Sequence, residues 1–152
     1  MNYWLFKTEP SSYSVDVLAK EKRTFWNGVR NYQARNFMKA MKKGDKILFY
    51  HSQEDPVGVV GIAKVAKEAY PDPTAQDSKH KNYDPKASKE NPLWFMVDIA
   101  FVKRCKRIVT LTEIKGDPRL AGMVVRERGS RLSIQPVSKK HFKIIEKLGE
   151  SA

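Results

Sequence analysis

Two apolar runs, Ile47–Tyr50 and Val57–Val65, are separated only by His51–Pro56. A parallel connection needs a crossover of about a dozen residues or more, usually helical, so strands this close in sequence pair antiparallel. Glu54-Asp55-Pro56 supplies the turn, and Gly58 and Gly61 inside the second run suggest bends or close backbone approach, as at a barrel corner. This spacing argues against a doubly wound α/β sheet. It sets the expectation of an α+β chain built on a barrel-like antiparallel sheet with helices around it.

The remaining elements are read in the same way. Asn2–Lys7 is an aromatic-rich strand stopped by Glu9-Pro10, which puts Lys7, Thr8 and Glu9 at the rim of whatever the sheet encloses. Ser14 caps a short helix through about Glu21. Ala34, Phe37, Met38 and Met41 recur at helical spacing after Asn31, and Gly44 is expected to end that helix. Arg35, Lys39, Lys42 and Lys43 form a basic ridge on another face. Trp94–Val102 is the longest apolar strand, and the basic run Lys103–Arg107 is expected to continue it into solvent. Arg131–Pro136 reads as a strand with Arg, Ser and Gln on one face. Ser138 caps a last helix whose apolar face is Phe142, Ile145 and Leu148, ended by Gly149. Residues 72–92 carry three prolines and no apolar period, so they are expected to form a long surface loop or an excursion that orders on binding. With 152 residues and no internal repeat, the expectation is one domain over 1–152.

Charge narrows the partner. The formal net charge is +12, and it is uneven: ten basic against four acidic side chains in residues 1–50, six against eight in 51–100, and thirteen against five in 101–152. An excess of this size points to a polyanion, most simply nucleic acid, and carries no sequence specificity of its own. No apolar run approaches a membrane span, the N-terminus has no basic-then-apolar pattern, and the single Cys105 cannot form an internal disulfide. These features set the expectation of a cytosolic protein, or a nuclear one in a eukaryote, with no membrane partner. Oligomeric state is not legible.

The stretch Phe25–Asn36 has no apolar period to explain it. Its twelve residues hold three aromatics, four side-chain amides and two guanidinium groups around one glycine, Gly28. Flat π faces beside amide donors and acceptors suit a flat polar ring such as a nucleobase, which aromatics stack on and amides read along the edge. A buried Trp, a glycine turn and an Asn helix cap account for the same residues structurally, and both readings stand at this point.

Other chemistry is missing. His51, His80, His141 and Cys105 have no metal-ligand spacing, and no phosphate-binding glycine loop or nucleophile elbow is present. His51 and Ser52 are neighbours on a strand and point to opposite faces, so they are badly placed as a base and nucleophile. Neither a cofactor nor an enzymatic activity is expected.

Trp4–Pro10, Trp26–Asn36, Lys43-Gly44-Asp45, Phe49–Ser52, Glu68–Asp72 and Arg131–Pro136, in this order and over nearly the whole chain, resemble the EVE domain family. The resemblance implies a PUA-like fold, a small and strongly bent antiparallel β-barrel with surrounding helices, and kinship with the YTH and ASCH domains. It implies a modified nucleobase held in a pocket. Carried over onto this chain, Trp26, Asn27, Gly28 and Val29 would give a wall and edge contacts. Asn31, Tyr32 and Arg35 would give the helix entrance and a phosphate contact, and Arg30 is a further candidate site residue. Tyr50, His51 and Ser52 would stand opposite, with Lys7, Thr8 and Glu9 on the first strand's rim and Ser133 and Gln135 on the late strand. Many relatives have Ser where this chain has Thr8, which keeps the hydroxyl.

The resulting expectation is a non-enzymatic DNA- or RNA-binding domain that takes one modified base, such as a methylated cytosine, into an aromatic-amide pocket with a basic rim. A small-molecule or nucleoside sensor using the same pocket is the alternative.

Overall fold

The computed structural model describes residues 1–127 and 131–151. The strands are β1 (Tyr3–Thr8), β2 (Arg23–Trp26), β3 (Lys46–His51), β4 (Gly58–Pro71), β5 (Phe95–Thr110) and β6 (Ile134–Val137). The helices are α1 (Val15–Glu21), α2 (Tyr32–Ala40), α3 (Leu111–Gly116) and α4 (Lys139–Glu150). Polar side chains start each of them: Ser14, Asn31, Thr110 and Ser138 accept from Val17, Ala34, Glu113 and His141 backbone N–H groups. Each of these satisfies a donor that the first helical turn leaves unpaired.

One six-stranded sheet runs β2-β5-β4-β3-β1-β6. The expected antiparallel barrel is corrected in two respects. First, β1 pairs parallel with β3, from Tyr3 against Lys46 to Thr8 against His51. The segment between them holds α1, β2 and α2, which is the crossover that a parallel pair requires. Second, β2 and β6 are the outer strands, so among the described residues the ladder is mixed and does not close. The tight β3–β4 hairpin is antiparallel as its spacing requires.

Side-chain alternation along β1 explains the layers. Trp4 and Phe6 point to one face, where α1 and α2 bring Leu18, Ala34 and Met38 against Phe49, Val97 and Ile134. Tyr3 and Leu5 point to the other, where α3 and α4 bring Ile114, Phe142 and Ile145 against Leu48, Val59 and Val109. β1 is therefore apolar on both faces, as a strand inside two cores must be.

A buried carboxylate fixes the turn into β3. Asp45 accepts from the Trp4 indole N–H at 3.0 Å, the Lys42 N–H at 3.0 Å and the Asn2 N–H at 3.1 Å. α2 itself stops at Ala40, earlier than expected, and Gly44 serves the turn at φ 95° rather than the helix end. Likewise Gly149 lies inside α4, where an added Cβ would stand 2.7 Å from Cys105 Sγ. β5 is longer than its apolar run. Lys103–Arg107 belong to the strand because the ladder with β4 carries past them, with Gly61 opposite Arg104.

Residues 72–94 also differ from a bare loop. Pro73–Gln76 is a 3-10 turn, Ala75, Ala87 and Trp94 form a small core, and the Asp72 N–H closes the segment onto the Trp94 carbonyl at 3.0 Å. Too few apolar residues lie there to show a period.

Candidate nucleic-acid interface

β2 pairs antiparallel with β5 and ends at Trp26, opposite Val97. The half-buried indole sits in a nest of rings: Tyr13 at 5.6 Å and edge-on, Phe6 at 5.7 Å and Phe49 at 5.8 Å between centroids. Beside it opens a cavity of about 440 Å³ lined by Thr8, Tyr13, Glu21, Thr24, Trp26 and Asn27 among others. Small-molecule sites fall in this size range.

The polar groups around the cavity divide sharply. The Thr8 hydroxyl donates to the Tyr13 carbonyl at 2.9 Å, and the Tyr13 hydroxyl donates to Glu21 at 2.5 Å. Burial and that carboxylate push the Tyr13 phenol up to about 12, so it stays protonated as a donor. By contrast, the Trp26 indole N–H and the Asn27 amide have no partner within the described residues. No buried side-chain polar atom is left unsatisfied there, so these two groups face solvent and are open to a ligand. An indole, with its π face and an in-plane N–H donor, beside an amide can stack on a flat ring and read its edge.

Thr8, Trp26 and Asn27 are thus the expected site residues that line this cavity. Tyr13, Glu21 and Thr24 line it too and were missed. Ser12-Tyr13-Ser14 after a strand end offered no spacing that would single Tyr13 out.

A second group of expected residues is tied to the 72–94 segment. Gly28, at φ 79°, donates its N–H to Asp72 at 2.9 Å, and Val29 is buried. Arg30 donates to Asp72 at 3.1 Å, twice to the Asn82 carbonyl and once to the Val29 carbonyl, with its guanidinium 5.4 Å over the Trp94 ring. Asn31 caps α2. Tyr32 is exposed and stacks on Trp94 at 4.9 Å, and Arg35 lies over Tyr32 while donating to the Leu93 carbonyl at 3.0 Å. Asn31 also lines a separate cavity of about 510 Å³ with Gln33, Phe37 and Leu132. The expected residues are therefore not all brought to one place.

The third group sits on β1, β3 and β6. The Lys7 backbone N–H donates to the Ser133 carbonyl, and its ammonium lies 5.9 Å over the Tyr50 ring. Burial lowers the Lys7 pKa and raises that of the Tyr50 phenol. The Ser52 N–H donates to the Thr8 carbonyl, and the Glu9 side chain is exposed. Gln135, expected on a polar face, is buried and donates to the Leu132 carbonyl at 2.8 Å.

His51 works for α1. Its Nε2 accepts the Val15 N–H at 3.0 Å, which requires an unprotonated nitrogen. Burial lowers its pKa, against the opposing pull of Glu54 and Asp16. Above the ordinary histidine value of about 6.5 this contribution to stability is fully present. As pH falls through that value toward the lower folded pKa, the unfolded chain takes up its proton first and stability is lost. Urea midpoints at two pH values on either side of this window should therefore fall more steeply for the wild type than for His51→Gln. Equal falls would show that His51 does not act in this way.

Among the described residues, no helix is long and apolar enough to cross a membrane, and no cluster of His, Cys, Asp and Glu could hold a metal ion.

The family model described as the EVE domain matches residues 2–148. The chain is similar to chicken (Gallus gallus) thymocyte nuclear protein 1, with 45% identity over 168 residues, covering 97% of this chain and 69% of that protein. Among solved structures, a hypothetical protein from Leishmania major superimposes with a TM-score of 0.92 at 47% identity, covering 99% of this chain and 95% of that one. Human THYN1 protein, solved in complex with 5-methylcytosine-containing DNA, superimposes with a TM-score of 0.91 at 40% identity, covering 100% of this chain and 99% of that one.

Proposed function

The chain belongs to the EVE domain family, and from that footing we propose that it is a non-enzymatic nucleic-acid-binding domain that takes one modified base into the Trp26–Tyr13 cavity. A PUA-like, strongly bent sheet, a single domain over 1–152 and a cytosolic or nuclear setting belong to the same proposal. A methylated cytosine in DNA is the first candidate ligand, because a similar human protein was solved with DNA carrying it. The observation that carries the reading is the solvent-facing pair of donors, the Trp26 indole N–H and the Asn27 amide, at the edge of a 440 Å³ cavity. Extruding a base costs a few kcal/mol, and stacking plus edge hydrogen bonds offset it.

Fluorescence anisotropy tests this. DNA and RNA strands, unmodified or carrying methylated or hydroxymethylated cytosine or methylated adenine, are titrated at two salt concentrations. One modified strand is expected to bind about tenfold tighter or more, a gap of about 1.4 kcal/mol. Affinity should fall with salt by about 0.7 to 0.9 log units per decade for each phosphate contacted. Equal binding of all strands would defeat the proposal.

One observation favours a free nucleoside as ligand instead. Arg30 and Arg35 are both committed to internal carbonyl groups, and Glu21 stands at the cavity, so the rim is less basic than the composition suggests. A nucleoside that binds with no salt dependence would establish that reading.

A further inference from the structure

We propose that Asp72 is a positioning residue for the Trp26–Asn27 wall of the pocket, acting through the backbone of Gly28. This inference rests on the modified-base reading above. Asp72 lies 44 residues along the chain from Gly28, at the end of β4, and has no exposed surface.

Its carboxylate is the meeting point of two loops. One oxygen, Oδ2, accepts the Gly28 N–H at 2.9 Å and the Arg30 guanidinium at 3.1 Å. The other, Oδ1, accepts both the N–H and the hydroxyl of Thr74, at 2.9 Å and 2.5 Å. Four donors converge on one buried anion, the arrangement that makes its charged form worth keeping in the interior. Burial alone would raise its pKa, but the hydrogen bonds from Thr74, Gly28 and Arg30 outweigh it and hold the carboxyl below its ordinary value.

The geometry gives Asp72 a task beyond stability. Gly28 sits at φ 79°, a conformation that few side chains adopt, and a Cβ there would stand 3.0 Å from the Asn82 amide nitrogen. The chain at Gly28 must therefore leave the sheet at one angle, and Asn27 and Trp26 precede it directly. Nothing else among the described hydrogen bonds holds the Gly28 N–H. Without the Asp72 acceptor that N–H turns to water and the Trp26–Asn27 segment loses its tie to the 72–94 segment. Arg30 loses one acceptor but keeps the Asn82 and Val29 carbonyls, and among the described residues no other lysine or arginine bonds to Asp72.

The test uses the whole protein with the oligonucleotide panel described above, plus amide hydrogen exchange at Gly28. In Asp72→Ala, Gly28 should exchange about tenfold faster or more. The preference for the modified strand should fall about tenfold, with affinity for the unmodified strand at low salt kept within about threefold. Asp72→Asn keeps one oxygen to accept the Gly28 N–H but puts an NH2 where Thr74 donates, so it should restore part of the preference. Gly28 exchange and preference should recover together even where its Tm stays as low as that of Asp72→Ala. If Asp72→Ala does not fold, Thr74→Val, which removes one donor from Oδ1, should still lower the preference about threefold, and an unchanged preference overturns the inference. Faster Gly28 exchange with the preference intact also overturns it and leaves the modified-base reading standing. A wild type with no preference at all defeats both, and it is recognised before any variant is made.

Discussion

Trp26→Ala should erase the preference for a modified base while leaving weak, salt-sensitive binding to any strand. Stacking of a base on an aromatic ring is worth about 1–3 kcal/mol when the ring is removed, which is about five- to 150-fold in affinity. The phosphate term depends on lysines and arginines elsewhere and is not expected to move. The substitution also removes ring contacts at 5.6–5.8 Å to Tyr13, Phe6 and Phe49, so a loss of stability of about 2–4 kcal/mol accompanies it. Circular dichroism at the assay temperature separates the two effects, and Trp26→Phe, which keeps a π face but not the indole N–H, should keep the stacking share of the preference and lose the share that this donor supplies. A Trp26→Ala protein that is folded and still prefers the modified strand would remove Trp26 from the site.

The second large effect concerns the sheet. Gly58 opens β4 with β3 on one side and β5 on the other, His51 and Thr110 being its partners. A Cβ at this position would meet the Val109 carbonyl oxygen at 2.3 Å and the Thr110 Cα at 2.8 Å. Both are backbone atoms in a paired strand, so no rotamer change relieves the overlap. Gly58→Ala should cost about 3 kcal/mol or more, a fall in Tm of about 6–12 °C for a chain of this size. Gly116→Ala is the control: an added Cβ there meets nothing within 4 Å, and the change should be neutral or mildly stabilising. Equal Tm values for the two variants would contradict the β4–β5 register.

Local chemistry was readable where it is carried by neighbours in sequence. Ser14, Asn31 and Ser138 cap their helices as their positions foretell, because a cap acts within three residues of itself. The β3–β4 hairpin and the close approaches at Gly58 and Gly61 followed from spacing. The parallel pairing of β1 with β3 did not, since an aromatic strand such as Tyr3–Thr8 carries no mark of its partner's direction. Nor did the role of Asp72, whose four donors come from two separate segments, or that of Tyr13, which reaches Trp26 only through the fold. The resemblance in the Trp26–Asn36 block was real at the family level, yet its residues divide: Trp26 and Asn27 line one cavity, while Arg30 bonds to Asp72 and Asn31 caps α2 beside another. Residue types alone do not distinguish a guanidinium that binds phosphate from one that binds a carbonyl.

The position of β1 bears on how the chain is made. Trp4 pairs with Ile47 on one side and with Pro136 on the other, so the strand that leaves the ribosome early is completed by one that leaves late. Pairings this distant along the chain bring loop-closure cost before reward, and folding should be slow for the protein's size. During synthesis β1 would carry an unpaired, strongly apolar edge until Ile134–Val137 emerges, a form in which nascent chains can join edge to edge. Yield in a cell would then depend on temperature and on how quickly translation delivers the last strand, as much as on the stability of the finished sheet.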